Sequence, residues 1–505
     1  MNVAFDPWIP VVTTTKEHKL ISLCEALSEG ENIADLAVRP HERVALMRLF
    51  LCVAHAALDG PKDEDDWYEV PEKLPEASIS YLEKWKDSFE LFHPTKPWLQ
   101  IAELKPAKKN DDTAFTPLEK LDFSLASGAT STLFDHFGGG NENRIFRPAQ
   151  LAIGLLVIQN FSTCGLLSRP LWNGVATPNS AKDAPCIASS MYHVFLIGKN
   201  LGETIANNIS DFEELSILMN DSVHGDWLGR PVWEQMPKSQ SDSNSTGTFL
   251  GRLVPVSRAI KFFEDRSVML YGEGLRYLSY PDYPREFNTS VVVKKTKKKE
   301  SRHLVGAKLN VRPWRQLDAI LQYHLPAKTL SHAINLNHYE GDAVDIWVGA
   351  LLRNPGKQDI LDSVESRFHL SDKLRTEIGC AAYSTEVQMT QIVSNLLETA
   401  IYFYRKELDP DEGKSHKAIA TTIYWTSIES SLDLLFELVD SIGGDGFATI
   451  QDCWRKKLYI AACEAYRMAC GQKTPRQIRA FAKGWRQLIL KKNEIITNHL
   501  REDDL

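Results

Sequence analysis

The sequence predicts an α+β fold: a large mixed domain of helices and short antiparallel sheets over residues 1–370, then a four-helix bundle over residues 371–505. Short alternating segments bounded by Pro and Gly recur as far as Val311, as half-buried strands do. Apolar runs long enough to be buried helices lie among them. After about Leu374 the alternation gives way to four long helical patterns with short links, the arrangement of a bundle. A chain of 505 residues also exceeds what one ordinary core covers.

Taken in order, VAFDPWIPVVTT and HKLISL predict two strands, with Asp6-Pro7 and Pro10 as punctuation. Arg43–Leu58 reads as a buried helix, Ser78–Phe89 as a helix in a polar stretch, and Pro148–Gln159 as an apolar helix. Pro148 suits a first turn, whose N–H has no partner in any case. Residues 161–190 (Gly165, Pro170, Gly174, Pro178, Pro185) and PKSQSDSNSTG at 237–247 read as loops. Strands are predicted at Thr248–Val254, Ser267–Tyr271, Ser290–Lys294 and Leu304–Val311. Between the last two, Lys294, Lys295, Lys297, Lys298, Lys299 and Arg302 form a basic hairpin tip, either solvated or set against phosphate. The bundle helices are Lys373–Glu407, His416–Ser441, Ala448–Gly471 and Pro475–Thr497; Gly443-Gly444 stops the second, and Thr474-Pro475 opens the fourth.

Composition bounds the function classes. Hydrophobic content of 43% and charged content of 25% are those of a soluble globular protein, and no apolar run approaches the roughly 20 residues of a membrane span. MNVAFDPWIP lacks the basic and apolar regions of a secretory signal, so a cytoplasmic location is expected. None of the eight cysteines forms a CxxC pair, which predicts buried reduced thiols and no zinc. The net charge is −8, but residues 455–501 carry +10, from twelve Lys and Arg against Glu464 and Glu494. This block is either a polyanion-facing surface or the solvated side of amphipathic helices.

The residues of an active site are missing. GxxxxGK[ST], GxGxxG, HExxH and GxSxG are all absent, and the fourteen histidines are scattered. No cofactor or metal is expected, and binding or assembly is favoured over catalysis. A metal-dependent nucleic-acid-processing enzyme with its site around Asp135, His136 and Asp445 is the alternative, and a scaffold touching only proteins is the third possibility.

His93–Asn143 is the most informative stretch: HPTKPWLQ, then TPLEKLDFSLASGATSTLFDH, then FGGGNEN. Phe134, His136 and Phe137 stand on a polar, glycine-rich loop with no core of their own, so a nucleobase or a partner protein must supply the surface they pack on. Gly138–Gly140 form either a flexible loop or backbone donors for a phosphate.

The order of motifs is specific. Asp6-Pro7-Trp8-Ile9-Pro10-Val11 is followed by His93-Pro94 and Pro97-Trp98-Leu99-Gln100, then by Thr116-Pro117-Leu118-Glu119-Lys120-Leu121 and Ser127-Gly128-Ala129-Thr130. This resembles the CasA family, the large subunit of Cascade, the type I-E CRISPR surveillance complex. Thr248–Ile260 resembles a family strand, and Trp347–Arg367 the family's RN…Q loop followed by a helix. The resemblance spans essentially the whole chain. It implies a non-catalytic subunit that recognises a protospacer-adjacent motif in duplex DNA, starts strand separation and docks a helicase-nuclease. Its partners would be the 5′ handle of the guide RNA, the target duplex and the backbone and small subunits of the complex. Protein then reads a short motif while base pairing reads the rest.

By the same resemblance, Phe134, Asp135 and His136 match the loop that anchors at the RNA handle, with Phe134 stacking. Gln358 matches the family's glutamine wedge, with Lys357 and Asn354 beside it. Gly165 stands for the glycine loop, where this chain has one glycine in Ser162–Leu167, and Arg276 or a lysine of the 294–299 run for the basic finger. Some relatives carry a four-cysteine zinc knuckle; Phe262–Leu270 has no cysteine, so no zinc is expected. Lys483 and Arg486, in the basic block, are candidate phosphate contacts.

Overall fold

The computed structural model describes residues 1–107, 115–125, 146–219, 226–263, 268–295, 300–321, 343–354, 359–408 and 414–497. It divides into two compact units, one containing Met1–Ile320 and Val344–His369, the other Leu370–Leu505. The first mixes helices with small antiparallel sheets and the second is helical, so the α+β class and the C-terminal bundle are borne out.

At the centre of the first unit is the Pro40–Leu58 helix, buried at every position from His41 to His55. A helix apolar on all sides needs covering on all sides. Val70–Lys84, Pro148–Phe161, the short helix Phe249–Leu253 and the strand Val344–Arg353 supply the cover. Within this core Arg48 is fully surrounded: its Nε donates to Asn160 Oδ1 and Leu253 O at 3.1 Å, and its Nη2 to Glu286 Oε2 at 3.0 Å. Burial opposes a charge on Glu286, but Arg252 and Arg48 together hold its carboxyl below the usual carboxylate range.

Among the described residues, three three-stranded sheets flank the core. Ile9–Thr13 pairs with His18–Ile21 on one side and Ile33–Leu36 on the other. Val268–Glu273 lies between Arg258–Phe262 and Phe115–Pro117. Val344–Arg353 lies between His193–Ile197 and Ile360–Leu370. Two-stranded ribbons form at Val291–Lys295 with Glu300–Leu304, Gly165–Leu166 with Ser180–Ala181, and Leu171–Trp172 with Val175–Ala176.

Several local expectations are corrected. Thr248–Val254 is a helical turn, Phe249–Leu253, with apolar side chains at 249, 250 and 253; all five of its residues are buried, so no exposed face marks its period. The helix expected after the RN…Q loop is a strand: Val344–Arg353 and Ile360–Leu370 are both strands, residues 355–358 lying outside the described ones, and Phe368 and Leu370 are buried while Arg367 and His369 are exposed, a period of two. The strand expected at Leu304–Val311 lies earlier, at Glu300–Leu304. Residues 161–190, expected as loop, hold four short strands.

In the second unit the helices are Glu377–Leu408, Lys414–Glu429, Leu432–Asp440, Phe447–Ala469, Pro475–Leu490 and Lys492–Thr497. The second and fourth predicted helices are each interrupted once, near Ser431 and Lys491. Thr474 Oγ1 accepts from Gln477 N and Gln477 Oε1 from Thr474 N, a reciprocal cap with Pro475 in the first turn. Inside the bundle Arg455 is held by Glu386, at 2.7 Å from Nη2, and Gln451 donates to the same carboxylate at 2.9 Å.

Candidate nucleic-acid interface

Gly165 lies on the first strand of a ribbon, opposite Ala181, with Leu166 opposite Ser180 and Leu167 N bonded to Asn179 O. Its φ of +150° is one that residues with a Cβ rarely adopt, so the glycine is a backbone requirement at this point. Within the same loop, Leu171–Trp172 turns back on Val175–Ala176 through Asn173 (φ 50°) and Gly174 (φ 82°), the left-handed pair of a type I′ hairpin. Leu166 is 78% exposed.

Beneath this ribbon is a buried ion pair. Arg258 and Glu273 face each other across neighbouring strands, 1% and 0% exposed, with Nη1 to Oε2 at 3.4 Å. Arg258 Nη2 donates to Thr163 O and to Lys182 O, both at 2.8 Å. Glu273 Oε1 accepts from Lys182 N at 3.1 Å and from Arg276 Nε at 3.2 Å, and Arg276 Nη2 reaches Ser180 O at 3.4 Å. A buried pair is tolerated when most of its remaining donors and acceptors are used; here all but Arg258 Nε are engaged, and they fasten three surface segments to one point.

A fourth segment joins through Asp183. Its Oδ1 accepts from Cys164 N at 2.7 Å and from Arg353 Nη1 at 2.5 Å. Arg353 N donates to Ser190 Oγ at 3.1 Å, and the next residue, Asn354, closes the end of its strand pair by donating from its backbone N to Asp359 O at 2.9 Å. Gly165, Arg276 and Asn354, far apart in sequence, are thus brought together. Arg276 and Lys182 are exposed cations on this surface.

Phe134, Asp135, His136, Lys357 and Gln358 lie outside the described residues, as do Lys297–Lys299 of the basic run. Lys483 and Arg486 sit on the Pro475–Leu490 helix of the second unit. Lys483 donates to Glu407, which Arg479 also meets at 3.0 Å; the Lys483 contact, followed by these cations, holds the Glu407 carboxyl below its usual range. Arg486 is exposed. Asp445, named for the enzyme alternative, is exposed in the turn before the Phe447–Ala469 helix.

Asp183, Arg258, Glu273 and Arg353 are the residues the motif reading did not select. Arg258 and Glu273 did carry a signal: each is a charge at the end of a largely apolar strand, RAIKF and VMLYGE. Such a charge needs a buried partner.

The family model of CRISPR-associated protein Cse1 matches residues 2–465. The chain belongs to the CRISPR-associated Cse1 family. The CasA/Cse1 protein of Thermus thermophilus is 27% identical over 493 residues, covering 92% of this chain and 91% of that relative. The crystal structure of Thermus thermophilus CasA superposes with a TM-score of 0.76 at 23% identity, over 98% of this chain and 99% of that one. A chain of a solved CRISPR RNA-guided surveillance complex gives a TM-score of 0.73 at 16% identity, over 97% and 99%. The CasA resemblance read from the N-terminal motifs is therefore borne out, and the Cse1 fold extends over nearly the whole chain.

Proposed function

We propose that this Cse1-family chain is the non-catalytic large subunit of a type I-E RNA-guided DNA surveillance complex, where it reads a short motif in the duplex beside the target, helps open the strands and recruits the helicase-nuclease. The observation that carries the reading is the convergence of Gly165, Arg276 and Asn354 on the Arg258–Glu273 pair and Asp183. A glycine backbone that can approach closely, exposed cations beside it and a polar strand end are the parts a minor-groove reader uses. Phosphate contacts from Lys182 and Arg276 position the duplex; the ribbon and the Asn354–Gln358 segment address its base edges and shape. On this reading Gln358 enters a base step from the minor groove, assisted by Lys357, and the unstacking it costs is offset when the guide strand pairs.

Phe134, Asp135 and His136 then meet the 5′ handle of the guide RNA and a neighbouring backbone subunit, and the small subunits are further partners. The family relationship and the likeness to a chain of a surveillance complex support this assembly in the cytoplasm. The deciding experiment compares target-duplex binding by complexes assembled with and without this chain. The expected result is tighter, motif-dependent binding only with it. Equal affinity in both would overturn the proposal, and metal-dependent cleavage by the purified chain, lost in Asp135→Ala, would favour an enzyme instead.

A further inference from the structure

We propose that Asp183 is the positioning residue that fixes the spacing between the two backbone segments offered to the duplex, so that it governs motif discrimination separately from overall DNA affinity. This rests on the duplex-reading role given above and deepens it.

A single oxygen makes the link. Asp183 Oδ1 accepts from the backbone N of Cys164, the residue before Gly165, and from the guanidinium of Arg353, the residue before Asn354. The two donors lie 19 and 170 residues from Asp183 in sequence. Other bonds hold each segment to the body on its own: Arg258 holds Thr163 and Lys182 through their carbonyls, and Ser190 holds the Arg353 backbone. Beside it, Arg353 Nη1 approaches Cys164 Sγ at 4.0 Å, a far weaker contact, and Ala184 N donates to Ser162 O at 2.8 Å at the base of the ribbon. The carboxylate is thus the direct ionic link between the outer ends of the glycine ribbon and the strand, and on this proposal it sets their distance.

That distance matters because the minor groove is only about 6 Å wide and is read by its width as much as by its edges. Two protein segments entering it must keep their separation to well under 1 Å to hold a sequence preference. Phosphate contacts are more forgiving, since point charges on long side chains follow the backbone. The cations that supply them, Arg276 and Lys182, are anchored through Glu273 and Arg258 and not through Asp183. With side chains 21% and 14% exposed, Asp183 and Arg353 sit at the edge of the surface, where a charge pair is not needed for core packing. A glutamate would place its carboxylate one carbon further out and could not hold both donors at these distances.

The test uses the assembled complex containing the full chain. The preferred flanking motif is first selected from randomised duplexes with the wild-type complex, and affinities for that duplex and a scrambled one are then measured. In Asp183→Ala the ratio of the two is expected to fall about tenfold, the weight of one well-read base pair. Affinity for the scrambled duplex should stay within about twofold, because phosphate contacts carry it. Asp183→Asn keeps an acceptor for Cys164 N but loses the ionic link, and should fall between; Arg353→Met cuts the link from the other side and should match Asp183→Ala. The double variant should lose little more than either single one, as groups acting through one contact do. An unchanged ratio in Asp183→Asn and Arg353→Met overturns the proposal even if Asp183→Ala does not fold. An equal loss of both affinities also overturns it, by marking a merely structural role. A wild-type complex that selects no motif overturns the parent reading instead, which keeps the two failures apart.

Discussion

At the scale of single residues, the first unit spends its buried charges on holding surface segments in place. Glu273 receives Arg258, Arg276 and the Lys182 backbone at once. Glu273→Ala leaves Arg258 buried without its counter-charge, and a loss of about 3 kcal/mol is expected in urea unfolding of the first unit. Because the same change unhooks Lys182 and Arg276, DNA affinity should fall for all sequences together, which distinguishes it from the Asp183 variants. Gly165→Ala is a sharper probe of the ribbon: at φ +150° a Cβ strains the backbone, so target binding should weaken while the melting temperature of the chain moves little. Gly165, Arg276 and Asn354 were legible only through the family motifs. Asp183 was not legible at all, since an aspartate in a Pro-bounded loop gives no sign of the distant strand end it meets.

At the scale of elements, close approach and charge decide the bundle. A Cβ on Gly484 would lie 2.4 Å from Ala400 O and 2.1 Å from the Tyr466 hydroxyl, so the Pro475–Leu490 helix crosses Glu377–Leu408 at a point only glycine permits. Gly484→Ala is expected to cost about 1–3 kcal/mol by overpacking, read as a lowered thermal midpoint. On the exposed face of that helix, Arg486 is the cleaner test of a phosphate contact, because Lys483 is already engaged by Glu407. If the helix faces DNA, Arg486→Glu should weaken binding to every sequence and reduce the salt slope by about 1; an unchanged slope assigns the face to protein. The long helices were legible because their apolar periodicity extends over many turns and their caps, Thr474-Pro475 and Gly443, are local. Thr248–Val254 was misread because a short apolar run fits either period, and Ile360–Leu370 because the helix there was carried over from the family resemblance and not read from its own alternation.

At the scale of the whole chain, the two units carry different sensitivity to acid. Three histidines of the first unit are buried and neutral: burial, reinforced at His41 by Arg39 and at His193 by Arg48, pushes His41 and His55 down to about 4 and His193 to about 3. Unfolded, each takes up a proton near 6.5. Between those values the unfolded chain binds more protons than the folded one, so stability is intact above pH 6.5 and is lost as the pH falls toward 4. Glu214 opposes this: burial and then Asp211 raise it to about 7, so it favours the fold as the pH drops from 7 toward the ordinary carboxylate range. Glu273, also raised by burial, opposes it too. Three histidines against these two carboxyls leave a net loss that starts small at pH 6.5 and reaches about 2 kcal/mol per pH unit near pH 5.5. At lower pH the depressed carboxyls of Asp35, Asp122 and Glu286, all in the first unit, add to it. Among the described residues of the second unit, the shifted groups are tyrosines and cysteines raised beyond this range and the partly exposed Glu407, lowered by its cations. Hydrogen exchange followed by mass spectrometry at pH 7.5 and 5.5, corrected for intrinsic rates, should therefore show the Pro40–Leu58 helix losing protection while Phe447–Ala469 keeps it. Equal loss in both helices would mean that the buried histidines do not set the acid limit of this fold.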